Sequence, residues 1–358
     1  MSLISLFYAA IILGFMILIH EFGHFAVAKA VGMRVERFSL FMGPLLVKFR
    51  RGETEYGIGP FPLGGYVRIT GMNPHEDIPP EVVPRAYYNQ PVWKRIVVIL
   101  AGPAMNFLIA FVIVWALVMS SSQAIPTTTV AQVGSGSPAA HVLRPGDQVV
   151  SVDGVGGSES AIRTQIDTHR CPGAQVNGCL AATPARVVVK RDGQLVIVNI
   201  RPQYSAGDQR LLLGIAFGGK PANAAQAASI TTSTLWSVTT RTVSTVARIF
   251  EPQERKQLHS IVYGFSATQQ SFATSTSQAL WVLALISLSL AIINLFPFLP
   301  LDGGHIFWAV AEKLRGKRIP FEVMERAGVV GFVLILMIFV IGLTNDISTL
   351  SGPGLGLK

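Results

Sequence analysis

Three side chains within little more than one helical turn set the chemistry of this chain. In the run Ile17-Leu-Ile-His20-Glu21-Phe-Gly-His24-Phe, two histidines four positions apart fall on one face of a helix, so both imidazoles can reach a single metal ion. Glu21 stands beside them without taking a ligand position. Imidazole pairs of this kind hold zinc, which polarises carbonyls and lowers the pKa of its water toward roughly 7, and a nearby carboxylate takes the proton. This is the layout of a zinc hydrolase. Such a site needs at least one further protein ligand and an open position, and the rest of the chain must supply that ligand.

The candidate is found late in the chain, in Asn294-Leu-Phe-Pro-Phe-Leu-Pro-Leu-Asp302-Gly-Gly-His305. Glu21 and Asp302 each sit in or at the edge of an apolar span, where an unpaired carboxylate is costly unless it holds a metal. Pro297 and Pro300 break the helix just before Asp302, and broken backbone at membrane depth is tolerated where it lines a cavity. Asp302 is thus the natural third ligand. His305, one turn on, competes for that role or orients Asp302 from outside the ligand set. The plain alternative is that Asp302 caps the following helix.

The elements that must position these residues are apolar. Half of the 358 residues are of hydrophobic type, 14% are charged, and the mean hydropathy is +0.47, which describes a polytopic membrane protein. Stretches free of Asp, Glu, Lys and Arg run over 2–20, 96–120, 278–301 and 327–345, each near the roughly 20 residues that cross a bilayer. The first lacks a basic amino-terminal region and reads as a retained span. Net charge is +9, but no basic patch is interleaved with aromatics, which argues against nucleic acid. Ten Lys and Arg lie between Lys29 and Arg95 and five between Ile306 and Arg326, which places both loops in the cytoplasm and the long 121–277 region outside.

The expected organisation is a first span at 1–30, a cytosolic loop at 31–93, a second span at 94–120, an outer domain at 127–205, an amphipathic helical linker at 206–277, a third span at 278–305, a cytosolic loop at 306–326, a fourth span at 327–346 and a tail at 347–358. Alternation around Gly52, followed by a Gly and Pro cluster, predicts a β-hairpin over about 45–72 whose edge can pair with an extended strand. In the second span, Ala101-Gly-Pro-Ala-Met-Asn106 permits close helix contact, with Asn106 as an interhelical hydrogen-bond partner or a catalytic group. Trp236, Val243, Val246 and Phe250 fall near helical spacing and suggest a helix on the membrane surface. The only two cysteines, Cys171 and Cys179, both lie in the outer region, where a disulfide is permitted.

Leu143-Arg-Pro-Gly-Asp-Gln-Val-Val-Ser-Val-Asp-Gly154, set among short β-branched runs, resembles the PDZ domains of membrane and periplasmic proteases, which bind peptide termini by strand addition. A rigid size filter is the alternative. With His20-Glu21-x-x-His24 early, Leu301-Asp302-Gly303 late and a PDZ-like insertion between the second and third spans, the chain resembles the site-2 protease family of intramembrane metalloproteases, of the RseP type. That resemblance implies an α-helical polytopic membrane protein with four transmembrane helices, a reentrant β-hairpin and an extracytoplasmic PDZ-like α+β domain. It implies that His20, His24 and Asp302 hold zinc, that Glu21 is the catalytic base, that Asn294 binds substrate or the oxyanion, and that the loop carrying Gly57, Gly59, Gly64 and Gly65 holds a substrate strand. The implied setting is the bacterial inner membrane, and the implied substrate is a single-pass transmembrane protein such as an anti-sigma factor, or a signal-peptide remnant. The room for one PDZ domain departs from the tandem pair of enterobacterial members and is closer to Gram-positive and mycobacterial relatives. A metal or proton transporter and a catalytically silent PDZ scaffold are the rival readings; Glu21 beside the histidine pair and the absence of a repeated half weaken the first.

Overall fold

A computed structural model describes residues 3–72, 76–248, 251 and 275–350. The chain forms two compact units, Met1–Leu117 with Thr231–Lys358, and Val118–Ile230.

The first unit begins with helix α1 (Leu3–Ala30), which ends at Gly32 in a left-handed conformation and feeds four strands. These are β1 (Val35–Met42), β2 (Val47–Arg51), β3 (Thr54–Ile58) and β4 (Phe61–Ile69), in the order β2-β3-β1-β4. The expected hairpin at Gly52 is present as β2 and β3, but it is half of a larger sheet, in which β1 runs parallel to β3 and antiparallel to β4. β1 escaped the period-two reading because Val35-Glu-Arg-Phe-Ser-Leu-Phe-Met42 alternates poorly and curves through an irregular register between Val35 and Met42. The sheet is tied down at its turn. Arg85 grips both oxygens of Glu53 at 2.8 Å, holding that carboxyl below its ordinary range, and the Thr54 hydroxyl donates to the Val35 carbonyl. Ala28, Met33, Val35, Ile69, Tyr87, Val98 and Ile99 form a buried cluster that fixes the base of the sheet between the end of α1 and the start of α2 (Val92–Ser120).

Three helices among the described residues are long and apolar enough to cross a membrane: Val92–Ser120, Thr276–Asn294 and Glu322–Asn345. The third expected span, 278–305, is interrupted. Helix α5 (Thr276–Asn294) stops at Asn294, and a new helix, α6 (Asp302–Arg315), starts at Asp302. Pro297 and Pro300 lie in the connection, where their missing N–H groups and fixed φ prevent the helix from continuing. The expected loop at 306–326 is therefore largely helical. The last turn of α6 carries Lys313 and Arg315, and Gly316 in the left-handed region ends it. Helix α7 (Phe321–Leu350) follows.

The second unit is a six-stranded arrangement. Strands β5 (Ile125–Val133), β6 (Gln148–Val152), β7 (Val155–Gly156), β8 (Ala185–Arg191), β9 (Gln194–Ile200) and β12 (Ile215–Lys220) pair in the order β12-β5-β6-β8-β9, with β7 on β6. Helix α3 (Glu159–Ile166), capped by the Ser158 hydroxyl, covers a core of Val130, Leu143, Val149, Val152, Ile162, Val187 and Val189. A two-stranded ribbon, β10 (Gln203–Ser205) with β11 (Arg210–Leu212), carries the chain to β12. The domain thus continues fifteen residues beyond the expected boundary at 205, because β12 completes the sheet by pairing with β5 although Gly218 and Gly219 hide its strand pattern. The Cys171–Cys179 disulfide is formed. Helix α4 (Ala224–Ala247) turns Ala227, Thr231 and Leu235 inward and leaves Trp236 and Val243 exposed. Phe250, the rest of the expected linker to 274 apart from Glu251, and the tail from 351 lie outside the described residues.

Candidate metal centre

His20 and His24 project from α1 into a buried space closed by α2 and by the first turn of α6. Their Nε2 atoms lie 3.3 Å apart, and Asp302 Oδ2 stands 3.1 Å from that of His20 and 3.4 Å from that of His24. The three residues are the one set of His, Cys, Asp and Glu side chains among the described residues whose donor atoms converge in this way. Residues 278 positions apart in sequence meet because the proline-broken connection returns the chain to α1 just as α6 begins.

The donor set fits zinc on its own geometry. Tetrahedral donors at about 2.0–2.1 Å from zinc lie about 3.3 Å from each other, which matches the observed 3.3, 3.1 and 3.4 Å. Asp302 Oδ2 is buried and has no partner other than the two imidazole nitrogens, so a carboxylate charge there is costly to hold. A cation between them resolves that cost. His24 is already committed to one tautomer: its Nδ1–H donates to the Val98 carbonyl at 2.9 Å, which leaves the Nε2 lone pair facing inward.

Close packing of α1 on α2 makes the space. Gly23 has the Ala101 carbonyl against it, and Gly102 faces the His24 imidazole, with the position of a Cβ there 2.5 Å from Cε1 and 2.8 Å from Cδ2. The Ala101-Gly-Pro segment is thus the floor of the site as well as a helix contact. Asn106, one turn further along α2, is wholly buried, with its amide nitrogen 3.1 Å from His20 Nδ1. Ser287 of α5 donates to the Asn106 carbonyl at 3.0 Å and joins a third helix to the same point. The first turn of α6 is held as tightly, since a Cβ at Gly304 would stand 2.5 Å from the Leu299 nitrogen.

Glu21 faces β4. Its carboxylate accepts the Val67 backbone N–H, and Gly65 lies against its side chain, with the position of a Cβ 3.3 Å from Glu21 Cβ and Cδ and closer to Cγ. β4 is the last strand in the sheet order, so its outer backbone edge has no strand partner among the described residues. Asn294, the last residue of α5, brings its amide nitrogen within 3.4 Å of His20 Nε2.

The four glycines of the loop separate. Gly65 is at the site and Gly64 adjoins it on β4, in a positive-φ conformation. Gly57 belongs to β3, which β1 separates from β4, and it packs against Val47 and Leu45; Gly59 packs against the Met42 backbone. Sequence spacing could not sort them, because a sheet order that skips a strand is not written in a local pattern. His305 is outside the converging set. It lines a separate cavity of about 510 Å³ with Tyr87, Arg95, Trp308 and Glu312. The sequence did not reveal the contacts of Gly102 and Asn106 with the two imidazoles, although their i, i+4 spacing put them on one face.

The model of Peptidase family M50 matches residues 8–338. Zinc metalloprotease Rip1 of Mycobacterium tuberculosis is 32% identical over 363 residues, covering 87% of this chain and 86% of its own. Zinc metalloprotease Rip1 of Mycolicibacterium smegmatis is 31% identical, covering 93% and 91%. A relative in Clostridium acetobutylicum is 28% identical over 97% of this chain and 98% of its own.

Proposed function

The chain belongs to peptidase family M50 and is a zinc metalloprotease, and from that premise we propose that it is an intramembrane endopeptidase which cuts single-pass membrane proteins within their transmembrane segments. The observation that carries the reading is the convergence of His20, His24 and Asp302 donors at separations of 3.1–3.4 Å, inside a unit that contains the three apolar helices. In this reading α1 is the fourth span and those three residues hold the zinc.

Zinc bound there supplies a Lewis acid for the scissile carbonyl and acidifies water. Glu21 takes the proton from the attacking water and delivers it to the leaving amine, a role that needs a carboxylate beside the metal but outside its ligand set. Asn294, next to His20, donates its amide N–H to the substrate carbonyl or to the developing oxyanion. A transmembrane helix hides its carbonyls in its own hydrogen bonds, so the substrate must unwind before any group can reach them. The unpaired edge of β4 offers an extended partner for the unwound strand, and Gly64 and Gly65 let that strand pass close to Glu21.

Both basic loops face the cytoplasm of a bacterial inner membrane in this arrangement, and the 125–220 domain lies outside. That domain is PDZ-like, and its terminal strand β12 leaves an edge to which a peptide terminus can add. Such a domain suits substrates already trimmed on the outer side, such as anti-sigma factors or signal-peptide remnants. The test is to place purified wild type and Glu21→Gln in proteoliposomes with a membrane-spanning peptide, with zinc or with chelator. The expected result is a cut within the span by zinc-loaded wild type alone, while Glu21→Gln keeps stoichiometric zinc. Equal cleavage by Glu21→Gln would overturn the assignment.

A further inference from the structure

Asn106 presents the metal centre with a choice between two hydrogen-bonding states, only one of which is compatible with a cation. Its amide nitrogen is the atom 3.1 Å from His20 Nδ1, and its amide oxygen is buried with no hydrogen-bond partner. A carboxamide offers donors at one end and an acceptor at the other, and a half-turn about its terminal torsion exchanges them. With the nitrogen toward His20, Nδ1 must accept, so a neutral imidazole carries its proton on Nε2. That is the atom facing His24 Nε2, Asp302 Oδ2 and the Asn294 amide nitrogen at 3.3, 3.1 and 3.4 Å, where a proton excludes a metal and opposes the Asn294 N–H. With the oxygen toward His20, Nδ1–H donates and the Nε2 lone pair is free.

We propose that Asn106 is the positioning residue that selects the metal-binding tautomer of His20, with its amide oxygen turned to accept the Nδ1–H when zinc is held. The inference rests on the proposed ligand set of His20, His24 and Asp302. Three observations carry it. The lone buried oxygen gains nothing from facing away from His20, so no hydrogen bond opposes the half-turn. The rest of the residue is fixed, wholly buried on α2 with its carbonyl bound by Ser287, so the carboxamide can turn but cannot leave. The other histidine shows the same arrangement completed, with Nδ1–H donating to the Val98 carbonyl at 2.9 Å. One imidazole is oriented by a backbone carbonyl that can only accept, and the other by a side chain that must turn to do so. Outer partners of ligating histidines commonly contribute 10–100-fold to metal affinity.

The experiment measures zinc dissociation constants of the full chain in detergent by chelator competition, for wild type, Asn106→Leu and Asn106→Asp. Leucine is similar in shape to asparagine and cannot accept. Aspartate keeps the acceptor and has no donor end. The expected result is a 10–100-fold weaker constant for Asn106→Leu and a constant within a few-fold of wild type, or tighter, for Asn106→Asp. Imidazole nitrogen shifts in zinc-loaded, histidine-labelled wild type and Asn106→Asp should report His20 protonated at Nδ1. Unchanged affinity in Asn106→Leu overturns the proposal, and so does an Asn106→Asp variant as weak as Asn106→Leu, which would assign the residue to helix packing alone. His20→Ala and Asp302→Ala run alongside separate the two hypotheses: if neither weakens zinc, the ligand set itself is wrong.

Discussion

Replacing Gly102 by alanine should separate fold stability from metal binding. Alanine is the better helix former by about 1 kcal/mol, so on helix propensity alone the substitution in α2 stabilises. The added methyl, however, would stand 2.5 Å from His24 Cε1 and 2.8 Å from Cδ2, where ordinary contact begins at 3.4 Å. The imidazole must therefore retreat by more than roughly 0.9 Å, because Nε2 lies closer still, and this is several times the tolerance of about 0.2 Å within which ligand distances remain workable. It cannot retreat freely, because Nδ1 is held by the Val98 carbonyl on the same helix as the new methyl. Overpacking of this kind costs about 1–3 kcal/mol, which offsets the propensity gain and leaves the fold about 0–2 kcal/mol less stable than wild type. Zinc affinity should fall by more than the roughly 100-fold at the top of the range for outer partners, since a proposed direct ligand is displaced. The assay is zinc content after dialysis against a graded chelator, read beside a thermal melt, with Gly173→Ala as a control in open space. A Gly102→Ala protein with full zinc retention and normal cleavage would refute the packing argument.

Asp302→Ala should lose stoichiometric zinc by metal analysis, since it removes one of three converging donors, and chelation of wild type should abolish cleavage until zinc is restored. Gly65→Val should keep zinc but lower cleavage by an order of magnitude or more, read as kcat and KM on a membrane-spanning peptide, because its side chain would press on Glu21 and on the edge strand while leaving the ligands alone. In the second unit, Arg191 binds the buried Asp147 carboxylate at 2.7 and 2.8 Å and holds it below its ordinary value, helped by the Arg144 backbone N–H. A depressed carboxylate contributes stability above its unfolded pKa of about 3.9 and loses it as pH falls through the folded value. Asp147→Asn should therefore unfold more easily than wild type at neutral pH, with the difference shrinking below about pH 4 in acid titrations followed by circular dichroism.

Much of this protein is legible along the chain. The i, i+4 histidines, the flanking glutamate, the apolar spans and the prolines before Asp302 each declare themselves within a dozen residues, because helix periodicity, hydropathy and the missing proline N–H are local properties. A zinc hydrolase follows from those residue types, and proteolysis from the family resemblance that their order in the chain carries. What the tertiary structure decided is non-local. It brought Asp302 rather than His305 to the imidazoles, because α6 begins afresh at the break and only its first residue points inward to them. It placed Gly65 beside Glu21 and left Gly57 and Gly59 elsewhere, because β1 lies between β3 and β4. It also set Gly102 and Asn106 against the two histidines, a contact that depends on how closely two helices approach and in what rotation, quantities that no pattern within a single helix encodes.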